Sequence, residues 1–234
     1  VEPSCVPRLL HINGQPLKIL GANRHQMYPF VGNALPDRQQ YLDALDIKNA
    51  GFNCVRHHYL ANDSFMDACD ELGLLVFAEL PGWGNTSMAN FGELWDLWVA
   101  HNQNALRATI RHARHRPSLM MWGAGINEMH QCLELEVALH AVAKSEDPTR
   151  PTTQARNYTT NNNVFDVFGA NIYTPESWDY SLGAGNPDPD YMGLLNTEYM
   201  GTNYAVWRED AEAAQIDNCL RNVAMIEKHR QHPW

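Results

Sequence analysis

The chain has 234 residues, of which 44% are hydrophobic and 19% charged, and its formal net charge is −10. That composition suits one globular domain with a sizeable core, and the acidity excludes a phosphate backbone as the natural partner, so no nucleic acid is expected. No apolar run reaches the roughly 20 residues that span a bilayer, so no membrane partner is expected either; no signal-peptide pattern opens the chain at Val1, which leaves the compartment undetermined.

In chain order, "LLHINGQPLKIL" (9–20) predicts a hairpin with Asn13-Gly14 at its turn, and its second arm runs into the strand "LGANRHQ". Residues 37–51 predict a helix with Tyr41, Leu42, Leu45 and the stem of Lys48 on one side and Gly51 at its C-terminal cap. The strand "FNCVRHHY" (52–59) follows. A second helix over 62–73 has Asn62 or Asp63 as its cap, Phe65, Met66, Cys69 and Leu72 facing inward, and Gly73 as its stop. "LLVFAEL" (74–80) is a continuous apolar run, as expected of a strand covered on both faces. A helix over 93–115, the strand "SLMMWGAGINE" (118–128) and a helix over 132–144 come next. Strands are predicted at 151–156, 167–173 and 193–200, a loop at 183–190, and a last helix over 205–230.

Strands alternating with helices imply a parallel sheet, either closed as a barrel or open and doubly wound. Polar residues recur at the strand ends: Arg24-His25, Arg56 to His58, Glu79, Asn127-Glu128, Asn171 with Tyr173, and Glu198. A barrel collects its active site in this way. "LGANRHQ" lacks the GxGxxG turn that a dinucleotide-binding sheet needs. The expected class is therefore α/β, a (β/α)8 TIM barrel. Seven strands are found, so the barrel is incomplete at the eighth, or a weak segment such as the N-terminal arm or the Thr152 region closes it. The expected organisation is one catalytic domain over 1–234, with the hairpin at 9–20 leading into the barrel.

The five cysteines, with no CxxC pair, make neither a disulfide scaffold nor a zinc site, and most are expected to be small buried hydrophobes. Among eleven histidines the tightest groups are His57-His58 and His112 with His115. The second group sits on an arginine-rich helix face whose positive charge disfavours a metal ion.

Glu128 and Glu198 are the acids that apolar strands deliver most plainly. Cleaving a glycosidic bond takes two carboxyls of opposite character, a protonated acid for the leaving oxygen and an ionised nucleophile for the anomeric carbon. Mutual repulsion pushes the two pKa values apart and so assigns the roles. A buried ion pair with an arginine is the structural alternative for Glu128. For Glu79 a salt bridge at the barrel mouth is the expected role. Trp122, Trp95 and Trp98 are expected to pack rather than bind.

The motifs, in order, resemble glycoside hydrolase family 2. "RHRPSLMMWGAGINE" is similar to that family's H-P-S-V-x-x-W-S-x-x-N-E, and "DPTRP" (147–151) follows it. "LKILGANRHQMYP" resembles K-x-x-G-V-N-R-H-E-x-x-P. "NCVRHHYLANDSFMDACDELGLLVFAE" resembles N-x-V-R-x-S-H-Y-P with the later C-D-E-x-G-L block, and "LLNTEYMG" resembles the nucleophile strand ending S/T-E-Y-G. The likeness covers roughly residues 9 to 201.

The resemblance implies a retaining β-glycosidase that releases a terminal β-sugar, most plausibly galactose. Glu128 takes the acid/base position and Glu198 the nucleophile position. It implies Asn127 at the sugar 2-hydroxyl, Tyr173 orienting Glu198, Arg56 keeping Glu198 ionised, and His58 and His25 at the sugar. Trp83, with Trp178, would offer an apolar platform for a sugar face. No cofactor is implied. Departures are the "RHHY" spacing, Gln26 in place of a Glu, and the absence of E-T-H-G, so no magnesium site is expected. The family's eighth-strand tryptophan and its accessory domains have no counterpart. β-Glucuronidase and β-mannosidase are the alternatives within the family. A carbohydrate-binding barrel without activity and a metal-dependent hydrolase are the alternatives outside it. The oligomeric state is not readable.

Overall fold

The structure is a computed structural model that describes residues 10–82, 92–129, 132–156, 163–174, 194–199 and 209–231. The predicted loop at 183–190 lies outside the described residues. The chain divides into two compact units, one of Lys18–Gln154 with Val164–Asp166, the other of Val1–Leu17, Ala155–Asn163 and Val167–Trp234.

The first unit is a parallel sheet with helices. Its strands are β3 (Gly21–Arg24), β4 (Cys54–His57), β5 (Leu75–Glu79), β6 (Leu119–Gly125) and β7 (Thr152–Gln154). They lie in the order β3-β4-β5-β6-β7, each beside its chain neighbour. A doubly wound sheet would reverse its order at a switch point; this sheet does not, as a barrel requires. Helices α1 (Asp37–Asn49), α2 (Asp63–Leu72), α3 (Trp95–Ala113) and α4 (Leu133–Glu146) connect the strands, and α3 follows a 3-10 turn at Gly92–Leu94. The core gathers Val55, Val76, Leu80, Leu119, Trp122 and Ile126 from the strand segments with Phe65, Met66, Leu106, Ile110, Leu135 and Leu139 from the helices.

In the second unit, β1 (His11–Ile12) and β2 (Gln15–Pro16) form the predicted hairpin. Asn13 and Gly14 have φ of 51° and 77°, the left-handed pair that a two-residue hairpin turn demands. Strands β8 (Phe168–Asn171) and β9 (Leu194–Glu198) pair in parallel. Phe168, Ala170 and Ile172 pack with Met225 of helix α5 (Glu212–Gln231). The described parallel strands are thus the seven that the sequence predicts, in two sheets, with no eighth among the described residues. The N-terminal arm is spent on its own hairpin, and the Thr152 region is the outer strand of the five.

Helix α2 ends as expected: Gly73 adopts φ 65°, and its neighbour Leu74 is fully buried. Helix α1 is rotated from the predicted face. Its buried residues are Gln40 and Ala44, with Tyr41 and Ile47 packed against the core. The reason is Arg24, which is buried and needs acceptors. Its Nη2 donates to Gln40 Oε1 at 2.8 Å and to Asp43 Oδ2 at 2.7 Å, and its guanidinium lies 4.1 Å from the Phe65 ring. The cysteines also differ from expectation. Cys54 and Cys69 are buried, Cys132 is half-buried and Cys219 is exposed.

Two buried groups make the fold sensitive to acid. Arg24 Nη1 lies 2.9 Å from His57 Nε2, and His57 Nδ1 lies 2.6 Å from the Tyr59 carbonyl. The ring therefore donates through Nδ1 and accepts through Nε2, as a neutral imidazole. Burial, aided by the charge of Arg24, pushes its pKa down to about 3. Burial alone would raise Asp147, but hydrogen bonds from Thr149, Trp122 and Arg150 outweigh it and bring the carboxyl to about 2. Both pKa values lie below those of the free groups. The His57 contribution is complete above pH 6.5 and lost as pH falls toward 3. The Asp147 contribution is complete above pH 3.8 and lost as pH falls toward 2. Melting temperature is expected to fall steadily from pH 6.5 to pH 3 in thermal scans. A flat profile over that window contradicts the neutral, buried His57.

Candidate active site

The first cluster forms at the C-terminal ends of β4, β5 and β6. Glu79 closes β5 opposite Gly123 of β6. A Cβ at residue 123 would meet Glu79 Cγ at 2.5 Å, so the position takes a glycine to admit that side chain. Glu79 is 0% exposed, and a bare carboxylate there would be costly. Both of its oxygens are paired. Arg56 Nε donates to Oε1 at 3.0 Å, and His58 Nδ1 lies 2.7 Å from Oε2. The expected arginine salt bridge of Glu79 is therefore present, and a histidine joins it.

The same pair holds the Asn127-Glu128 turn that follows β6. Arg56 Nη2 donates to Asn127 Oδ1 at 3.1 Å. His58 Nε2 lies 3.4 Å from Glu128 Oε2, an ion-pair contact longer than an ordinary hydrogen bond. His25, just beyond β3, tilts its ring against His58 with centroids 4.9 Å apart. Burial works against charging His58, but its contacts with Glu128 and Glu79 outweigh burial and push its pKa up to about 9. Burial alone would raise Glu128, yet the contact and charge of His58 more than cancel it, so the carboxyl sits below its ordinary range. Glu128 stays partly open to solvent, at 34% side-chain exposure, so it is reachable where Glu79 is not.

The second cluster lies on β8 and β9. Asn171 ends β8 and is buried. Its Nδ2 donates to Glu198 Oε2 at 3.1 Å and to Tyr173 Oη at 3.2 Å, while its Oδ1 accepts from Thr197 Oγ1 at 2.7 Å. The Thr197 hydroxyl fixes which end of the amide faces Glu198. Asn196, the next residue back, is bonded twice to the Ile172 backbone and once to His229 of α5. Glu198 thus leaves a strand tied to the end of β8 and to α5.

Sequence reasoning named Arg56, His58, His25, Asn127 and Glu128, and the structure brings them together in the first unit. Glu198 and Tyr173 come together in the second. Trp83 and Trp178 lie outside the described residues. Two residues that hold these clusters together were given no such role from sequence. Asn171, rather than Tyr173 alone, bonds Glu198, and its place at the end of "FGAN" beside Tyr173 was the available signal. Glu79 is the hub of the first cluster, and its signal was a carboxylate ending an otherwise apolar run. Trp122, expected to pack, is buried and donates Nε1 to Asp147 at 3.0 Å.

Comparison with known proteins places this geometry in a family. Residues 6–202 match the family described as glycosyl hydrolases family 2, TIM barrel domain. A β-galactosidase of Thermoanaerobacterium thermosulfurigenes is 36% identical over 228 residues, covering 93% of this chain and 30% of that protein. A β-galactosidase of Thermoanaerobacter pseudethanolicus is 38% identical over 196 residues, covering 83% and 25%. The crystal structure of an FMN-binding β-glucuronidase from Facaelibacterium prausnitzii L2-6 superposes with a TM-score of 0.80 at 26% identity, over 97% of this chain and 38% of that one. The chain spans less than a third of the length of the two curated relatives. Sequential parallel strands, the motifs they carry and the family match agree that the chain belongs to glycoside hydrolase family 2, as its TIM barrel domain.

Proposed function

We propose that residues 1–234 form the catalytic domain of a retaining exo-β-glycosidase, with terminal β-galactosides as its substrates. The observation that carries this reading is a pair of partly exposed glutamates, each following a parallel strand and each steered by a buried polar partner: Glu128 by His58 and Glu198 by Asn171. The likeness to two β-galactosidases supports the choice of sugar.

In the proposed first step a Glu198 oxygen bonds to the anomeric carbon as the glycosidic C–O bond breaks, and the leaving oxygen takes the proton from Glu128. In the second step Glu128, now ionised, takes a proton from water. The water oxygen bonds to the anomeric carbon and Glu198 is released. Asn171 holds Glu198 through Oε2. Asn127, held by Arg56, is assigned to the sugar 2-hydroxyl, with His25, His58, Tyr173 and Trp83 around the sugar.

The experiment is a panel of aryl β-glycosides offered to the full chain. The β-galactoside is expected to turn over fastest. Preference for the β-glucuronide would move the specificity to the runner-up, which the likeness to a β-glucuronidase structure keeps in view. Turnover of no glycoside, by protein that melts cooperatively, would remove the hydrolase reading in favour of carbohydrate binding alone.

A further inference from the structure

The two-carboxylate chemistry makes no use of Glu79, yet this acid is fully buried beside it and paired through both oxygens. Between Glu79 and Glu128 lies the His58 ring, with Nδ1 2.7 Å from Glu79 Oε2 and Nε2 3.4 Å from Glu128 Oε2. An ionised carboxylate only accepts hydrogen bonds, so each ring nitrogen that faces one carries the hydrogen. Nδ1–H is thus spent on Glu79 and Nε2 turns toward Glu128, two acidic neighbours that favour the charged ring.

Among the described residues, five groups that bear on its charge or surroundings face the ring. Glu79 comes from β5, and Glu128 comes from the turn after β6. Arg56 of β4 brings Nη2 to 3.4 Å from Nδ1 and opposes a second cation there. His25, beyond β3, and Tyr59, next in the chain, each set their rings with centroids 4.9 Å from that of His58. Glu79 offsets both Arg56 and His58 from within the buried layer. Without its charge, Glu128 alone would hold the proton on His58 against Arg56.

We propose that Glu79 is a positioning residue that acts through His58 on the proton of Glu128: the buried carboxylate keeps the ring cationic, and the cationic ring biases Glu128 toward the ionised form that serves as base in the second step. The proposal rests on the acid/base reading of Glu128 and adds to it a group that never touches substrate. The bias has a consequence for the first step, which needs Glu128 protonated. The alkaline limb of kcat/KM is drawn to lower pH than an isolated glutamate at this site would give.

The test is Glu79→Gln in the full chain, read in two ways. The amide keeps an acceptor for Arg56 Nε but removes the charge, so His58 gives up its proton at lower pH and Glu128 faces a weaker cation. Carbon NMR of the Glu128 carboxyl is expected to show its titration moving up by about 1 unit, the lower end of what a nearby opposite charge supplies. The alkaline limb of kcat/KM is expected to move up by the same amount. A Glu128 titration that stays in place overturns the proposal. A titration that moves while the rate profile does not upholds the coupling and removes Glu128 from the acid/base role. Nitrogen NMR of the imidazoles in the unaltered protein serves where the variant fails to fold. His58 is expected to stay doubly protonated well above pH 6.5, and deprotonation at or below pH 6.5 overturns the proposal.

Discussion

Glu198→Gln is expected to abolish turnover of the best aryl β-galactoside, with kcat falling on the order of 10⁴-fold or more while the fold survives. The substitution exchanges one oxygen for an amide and removes the charge that attacks the anomeric carbon. The bond from Asn171 is kept. Asn171 Nδ2, which donates to Glu198 Oε2 at 3.1 Å, finds an amide oxygen in the same place, and the Thr197 hydroxyl still holds Asn171 from its other end. Neither that hydroxyl nor the Asn196 bonds to Ile172 and His229 involve the altered side chain. Melting temperature is therefore expected to stay near that of the parent, so the loss reports on chemistry. Activity within tenfold of the parent would show that Glu198 is not the nucleophile.

The second large effect belongs to Glu128→Ala, and it depends on the leaving group. An alkyl β-galactoside needs its departing oxygen protonated, and kcat is expected to fall by roughly 10² to 10⁴-fold, the usual span for a lost general acid. A dinitrophenyl leaving group departs without that help, so the first step survives and the glycosyl-enzyme accumulates because no base activates water. KM is expected to fall along with kcat on that substrate. Azide needs no base. It is expected to enter the space left by the carboxylate, capture the glycosyl group with retained configuration and restore part of the turnover. Equal losses on both substrates, with no azide product, would remove the assignment. Glu128 is half-buried, so the truncation opens room, and the buried His58 keeps its pair with Glu79.

Much of this fold is legible in the sequence, because its strands are apolar runs bounded by turn residues and the first two helices, α1 and α2, run into Gly51 and Gly73. Asn13-Gly14 and Gly73 adopt the left-handed conformations that their positions announce. Strand ends are less legible. The segment read as a strand over 151–156 is paired only at Thr152–Gln154, since hydrogen-bond register with β6 decides where a strand stops. Of the inward face that periodicity gives α1, only Tyr41 packs against the core. Gln40 looks like a surface residue until the buried Arg24 is known to need it, and that is a demand of the tertiary structure. The site divides in the same way. Motif order isolates Glu128 and Glu198. The roles of Glu79 and Asn171 follow from which side chains meet across strands, and no spacing along one strand encodes that.

At the other end of the sheet, Arg150 carries a different kind of importance. Its guanidinium bonds the carbonyls of Leu119, Arg114 and Arg116 and the carboxylate of Asp147. One side chain thus rivets the close of α3, the entry to β6 and the segment after α4. With stability anchored at that floor, the loops above can be lengthened, shortened or rewritten at little thermodynamic cost. Changes in the loops at the opposite strand ends leave all four of those bonds untouched.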